Sequence, residues 1–159
     1  CLPLRVILDE LDGPGASSDR TRRRSVGVLG REEEIDEAEL CERASVSPDL
    51  VRQLEEFGLV VSRSEGGERI YTESEADIAA ACARFARFGI DARHLRTFLT
   101  AAGRQAALVE QLVAPGLRSR NPDRRKSALE DLEGLSRVAQ ELSHLLFTRD
   151  VRATVERTS

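Results

Sequence analysis

Apolar residues fall at helical spacing over most of this chain, and one strand-like stretch interrupts them. Ile35, Ala38, Leu40, Cys41 and Ala44 mark a short amphipathic helix over 35–44. After the turn Ser45-Val46, Ser47 is placed to cap a second helix. Its first position is Pro48, where a missing amide hydrogen costs nothing. Leu50, Val51, Leu54 and Phe57 form the buried side of that helix, and Gly58 supplies a left-handed stop. Val60 and Val61, then Ile70 and Tyr71, flank Glu65-Gly66-Gly67 and predict a hairpin over 59–71. Thr72-Glu73-Ser74-Glu75 has the capping-box pattern. It opens a helix to Phe88 that carries Ile78, Ala79, Cys82, Phe85 and Ala86. Gly89 ends it, and Asp91 caps the next helix, with Leu95, Phe98 and Leu99 inward.

Beyond this point Gly103 weakens the helix without ending it, and Pro115-Gly116 disturbs it. Asn121-Pro122 marks a turn and a new start. A long helix follows over about 123–157. Its apolar residues Ala128, Leu132, Leu135, Ala139, Leu142 and Leu146 step by 4, 3, 4, 3, 4, a heptad seam. Leu129, Val138 and Leu145 widen the seam toward a bundle-type face. That face fits packing on the preceding helix, a homodimer interface, or both. Leu132, Leu135, Leu142 and Leu146 are the expected packing or dimer seam.

At the other end, Leu4, Ile7, Leu8 and Leu11 recur at helical spacing, but eleven residues do not hold a helix alone. The stretch Leu2-Pro3-Leu4-Arg5-Val6-Ile7 overlays Ile90-Asp91-Ala92-Arg93-His94-Leu95, with Leu11 over Leu99. Residues 1–11 are therefore expected to be the last helix of a truncated N-terminal module. Residues 12–33 read as a flexible linker, residues 34–102 as the central module, and residues 103–159 as a helical packing or dimerisation region. The absence of Met and the start at Cys1 fit an incomplete N-terminus.

Composition bounds the function. The 159 residues are 40% hydrophobic and 4% aromatic with no Trp, which favours a helical core of Leu, Val, Ile and Ala. No apolar run approaches the ~18 residues of a membrane span, and no signal peptide is visible. Cys1, Cys41 and Cys82 are odd in number and widely spaced, so neither a disulfide framework nor a zinc knuckle is suggested. A reduced, cytoplasmic setting is expected. His94 and His144 lie far apart, and no phosphate loop, H-E-x-x-H or nucleophile elbow is present. The expectation is a protein that is not an enzyme, with no cofactor and no metal.

The order of elements in 45–99 resembles the MerR family of transcription regulators. Ala44-Ser45-Val46-Ser47 is similar to that family's Ala-Gly-Val-Ser turn. Val51-Arg52, Glu55 and Gly58-Leu59-Val60 look like its recognition helix and exit. Gly67-x-Arg69-x-Tyr71 is similar to its wing, and Gly89-Ile90 through Leu95 to its fourth-helix start. Leu2-Pro-Leu-Arg-Val-Ile and Val113-Ala-Pro-Gly-Leu-Arg-Ser-Arg-Asn-Pro122 resemble the actinobacterial FtsR-type regulators of cell-division genes. The resemblance implies a mainly α fold: a divergent winged helix-turn-helix with a small β-hairpin wing, then C-terminal helices including one long amphipathic helix. It implies a DNA-binding transcription regulator whose N-terminal module is mostly missing here. By that resemblance Ser47, Arg52, Arg63, Arg69 and Tyr71 are the DNA-contact candidates.

Charge argues against those candidates. Residues 31–102 hold nine arginines against sixteen carboxylates, a net −7, whereas affinity for DNA comes largely from neutralising phosphate. The recognition helix carries Arg52 against Asp49, Glu55 and Glu56, and Gln53-Leu54 stand where the family has an aromatic pair. The central module is thus expected to contact a protein partner or effector, while promoter DNA is read by the full-length protein. The competing expectation is a helical interaction scaffold with neither DNA contact nor regulatory ligand. Two basic runs, 21–25 and Arg118, Arg120, Arg124, Arg125 and Lys126, read as solvated segments.

Overall fold

A computed structural model describes residues 29–159. The expectations for 1–11, the Thr21–Ser25 run and the linker up to 28 lie outside the described residues. Two units divide the chain: 31–110 forms one, and 111–159 belongs to the other.

The first unit runs β1 (Glu34–Asp36), α1 (Glu37–Ala44), α2 (Pro48–Glu56), β2 (Arg63–Glu65), β3 (Glu68–Thr72) and α3 (Glu73–Arg87). The hairpin β2–β3 closes through Gly66 and Gly67, whose φ angles of 58° and 83° suit a tight turn that side-chain-bearing residues resist. The sheet is antiparallel with order β1-β3-β2, so β3 is central. The fold is mainly helical with a small wing, as the pattern implies.

β1 corrects the sequence reading of 35–44. The helix starts at Glu37, not at Ile35. Asp36 is its cap, accepting from the Glu39 amide at 2.8 Å. Ile35 sits in the strand opposite Tyr71. Its apolar side chain fits a helical or a strand period equally, and a three-residue strand leaves no alternation to read.

The core joins Ile35 of β1, Leu40 of α1, Val51 and Leu54 of α2, Val60 of the loop after α2 and Tyr71 of β3. α3 turns Ala76, Ala79 and Cys82 inward, and such small residues let it lie close against α1. Burial pushes the thiols of Cys41 and Cys82 up, so both are protonated packing groups.

The capping-box expectation at α3 is also corrected. Thr72 makes no side-chain capping bond to a helix amide, and its hydroxyl meets Ser74 Oγ instead. Glu75 turns away and accepts from the Val61 amide at 3.1 Å. The free amides of Glu73 and Ser74 are taken by the Glu33 carbonyl at 2.9 Å and the Glu32 carboxylate at 3.0 Å. The acidic run before β1 therefore caps a helix forty residues away in sequence. Arg43 adds ion pairs to Glu39 at 2.6 Å and Glu33 at 3.2 Å, tying that run to α1.

The helix expected from Asp91 begins regularly only at Arg96 and continues as α4 (Arg96–Leu117). Residues 92–95 are turns, and the amides of His94, Leu95, Arg96 and Phe98 each reach the carbonyl three residues back. Pro115 does not interrupt α4. It stands within a turn of the helix end, where losing one internal bond is cheap. Asn121 caps α5 (Pro122–Thr158), as expected, accepting from the Asp123 amide at 2.9 Å. At Gly116 a Cβ would stand 2.6 Å from Ala128 Cβ, so glycine there permits the close contact between α4 and α5.

Candidate functional site

The helix-turn-helix is built from α1, the turn at 45–47 and α2. Ser45 takes φ +55°, where the resembling family carries glycine, and its amide closes on the Cys41 and Glu42 carbonyls. Ser47 caps α2, its hydroxyl accepting from the Leu50 amide at 3.2 Å. Val51 and Leu54 point into the core, which leaves Arg52, Gln53 and Glu56 on the outer face of α2.

Each candidate arginine on this face has a carboxylate. Arg52 lies 3.5 Å from Asp49, one turn back on the same helix. Arg63 on β2 forms a two-pronged pair with Glu34 of β1, with Nη2 to Oε2 at 2.8 Å, and also reaches Glu65 at 2.7 Å. These bonds, Glu34 first, raise the Arg63 pKa, and the Arg63 hydrogen bond lowers that of Glu34. Arg69 on β3 pairs with Glu55 of α2 at 2.6 Å. The hairpin is thus fastened to α2 by an ion pair whose carboxylate is largely buried.

Tyr71 stands behind that pair, 1% exposed, within the core. Its hydroxyl and Glu55 Oε1 are both buried, and neither reaches a partner at full hydrogen-bond geometry. They interact nonetheless: burial first, then Glu55, lifts the Tyr71 phenol to about 12. Tyr71, and then Glu55, hold the Arg69 guanidinium above its ordinary pKa. Pairing of Arg69 with Glu55 links positions 14 apart, and pairing of Arg63 with Glu34 links positions 29 apart. Sequence reading found Arg63 and Arg69 but not their carboxylates, because only the fold brings β2 beside β1 and β3 beside α2.

The seam residues of α5 divide along the helix. Leu132 and Leu135 are half-buried, while Leu142 and Leu146 are 54% and 40% exposed. Leu145, Phe147, Val151 and Val155 are also exposed over the same C-terminal stretch. None of the described helices is long and apolar enough to cross a membrane.

Over residues 33–155 the chain matches the family model of the Rv1828-like C-terminal domain. It is 30% identical over 156 residues to the HTH-type transcriptional regulator Mb1859 of Mycobacterium bovis and to Rv1828 of Mycobacterium tuberculosis. Those alignments cover 97% of this chain and 58% of each relative, so the chain spans little more than half their length. The chain belongs to the Rv1828-like C-terminal domain family.

Proposed function

We propose that this member of the Rv1828-like C-terminal domain family is the regulatory and oligomerisation portion of a DNA-binding transcription regulator, not its main DNA reader. The regulator is of MerR type, resembling the FtsR-type regulators of cell-division genes, and works in the cytoplasm without catalysis. The names of its relatives support a role in transcription, and the order of turn, recognition helix, wing and third helix supports MerR ancestry.

One observation carries the division of labour. All three candidate DNA-contact arginines, Arg52, Arg63 and Arg69, are already engaged by carboxylates in a module of net −7. A phosphate would have to displace a covalently tethered carboxylate at each, and the surrounding field opposes its approach. Promoter DNA falls to the rest of the full-length protein, and the acidic module takes a protein or effector.

An anisotropy titration of the chain against a promoter duplex and a shuffled duplex, at physiological salt, tests this. Sequence-specific binding is expected to be absent below about 1 μM, tighter than the non-specific range. Specific binding under that concentration would overturn the reading. The exposed apolar residues of α5 from Leu142 onward support the homodimer part of the proposal. Light scattering at tens of micromolar, a concentration matching an association of roughly −6 to −7 kcal/mol, should give a dimer mass, and a monomer would remove that part.

A further inference from the structure

Phe88 is the most exposed large apolar side chain of the described residues, at 84%. It follows the last residue of α3, where the chain reverses. Gly89, at φ +79°, allows the reversal, with its amide on the Ala86 carbonyl at 3.0 Å and the Ile90 amide on the Phe85 carbonyl at 3.1 Å. The Phe85 and Phe98 rings, 5.3 Å apart, hold the end of α3 against the start of α4. Phe88 is left outside this clamp.

Four arginines surround the reversal. Arg84 and Arg87 lie on the last turn of α3, Arg84 one turn before Phe88, and Arg93 and Arg96 lie on the returning limb. None of the four forms an ion pair among the described residues, unlike Arg43, Arg52, Arg63 and Arg69. Asp91 is the single acid between 84 and 96, and it is occupied by His94 Nδ1 at 2.8 Å. The helix dipole favours cations at a C-terminus and accounts for Arg84 and Arg87. It does not account for Arg93, Arg96 or the exposed ring.

We propose that this α3–α4 corner is a docking surface for an acidic segment of a partner protein, with an apolar side chain of that segment covering Phe88. Charge complementarity selects the occupant. Four guanidiniums with no ion pair among the described residues attract a local cluster of carboxylates, which they bind in two-pronged fashion. The ring needs an apolar contact, which a phosphate backbone does not give. A duplex long enough to be held would also run onto the rest of a module of net −7, whereas a short acidic peptide stays within the basic corner. This inference rests on the reading that the module contacts protein rather than DNA, and it names where and with what chemistry.

The test uses the whole chain and a fluorescein-labelled peptide alternating acidic residues with leucine. A peptide of the same charge with serine for leucine serves as control, and a mixed-sequence duplex as competitor. The leucine peptide should bind in the micromolar range at physiological salt and more tightly than the serine peptide. Phe88→Ser should weaken it about fivefold, and the double variant R87E/R93E should abolish it, while Arg52→Glu leaves it unchanged. Circular dichroism melting checks that the variants fold. Should the double variant fail to fold, Arg87→Gln replaces it, with an expected loss of about threefold.

Equal binding of the two peptides, or binding indifferent to the corner variants, would overturn the proposal. So would no binding of either peptide, an outcome that leaves the DNA titration as the separate judge of the module's role. A duplex that displaces the peptide and is itself lost in R87E/R93E would overturn both.

Discussion

The face built from α2 and the hairpin and the α3–α4 corner carry similar numbers of arginines, three and four, and hold them in opposite ways. Arg52, Arg63 and Arg69 each have a carboxylate within ion-pair reach, while Arg84, Arg87, Arg93 and Arg96 have none among the described residues. Arg63 and Arg69 spend their charge on holding β1, β2, β3 and α2 to one another, and Arg52 is paired within α2 itself. The corner, which no sequence motif marks as a contact site, keeps its charge outward. Whether an arginine is available to a ligand is a property of its neighbours, and the two regions differ in neighbours rather than in composition.

The comparison breaks most visibly if α2 is not held in place by its inner face. Leu54 is fully buried there, at a position where the resembling family carries an aromatic residue. Leu54→Ala should destabilise the unit by roughly 2–5 kcal/mol, the cost of lost burial plus an unfilled cavity. Urea unfolding followed by circular dichroism reads it. A loss under about 1 kcal/mol would mean that α2 is not anchored through the core, and its outer face would then need another role.

Next in size is the Arg69–Glu55–Tyr71 group, which tests whether wing charge is consumed internally. The Tyr71 phenol is held up to about 12 by burial and then by Glu55, against about 10 in the unfolded chain. Between those values the folded state keeps a proton that the unfolded state has lost. Stability contributed by this group is therefore full below pH 10 and falls as pH rises toward 12, by about 1.4 kcal/mol per unit and roughly 2–3 kcal/mol in all. Tyr71 is the single tyrosine of the chain, so tyrosinate absorbance reports it alone. Tyr71→Phe should remove this part of the alkaline loss. Ordinary titration near pH 10 in the folded protein would show that the ring is not sealed behind Glu55 and Arg69.

The sequence made the helices, the glycine hairpin and both proline-led helix starts legible, since each has a local signature. Ser47, Asn121 and the Gly66-Gly67 turn act within three or four residues. What was hidden depends on distant residues. Ile35 becomes a strand residue only because β3 lies beside it, and Glu32 and Glu33 replace the local cap at α3 because β1 brings them there. Candidate arginines could be named from the wing and helix patterns. Their pairing with Glu34 and Glu55 could not, because register and chain reversal decide it. The corner was hidden for a further reason: Arg84 and Phe88 belong to one helical stretch and Arg93 to the next, and only the turn at Gly89 brings the two together.

The smallest expected effect is the sharpest on the comparison itself. Arg52 is 65% exposed and its partner Asp49 85% exposed, at 3.5 Å. Such a pair gains little in high dielectric and pays side-chain entropy to form. Arg52→Ala and Arg87→Ala should each change unfolding free energy by no more than about 0.5 kcal/mol. Equality in stability is what makes the pair informative. With folding equal, a difference in ligand binding between them isolates charge available to a partner from charge that is merely present. Arg87→Ala should weaken the acidic leucine peptide and Arg52→Ala should not. The reverse result would place the open surface on the recognition helix, and an equal loss in both would mean that the peptide senses only the overall field of the module.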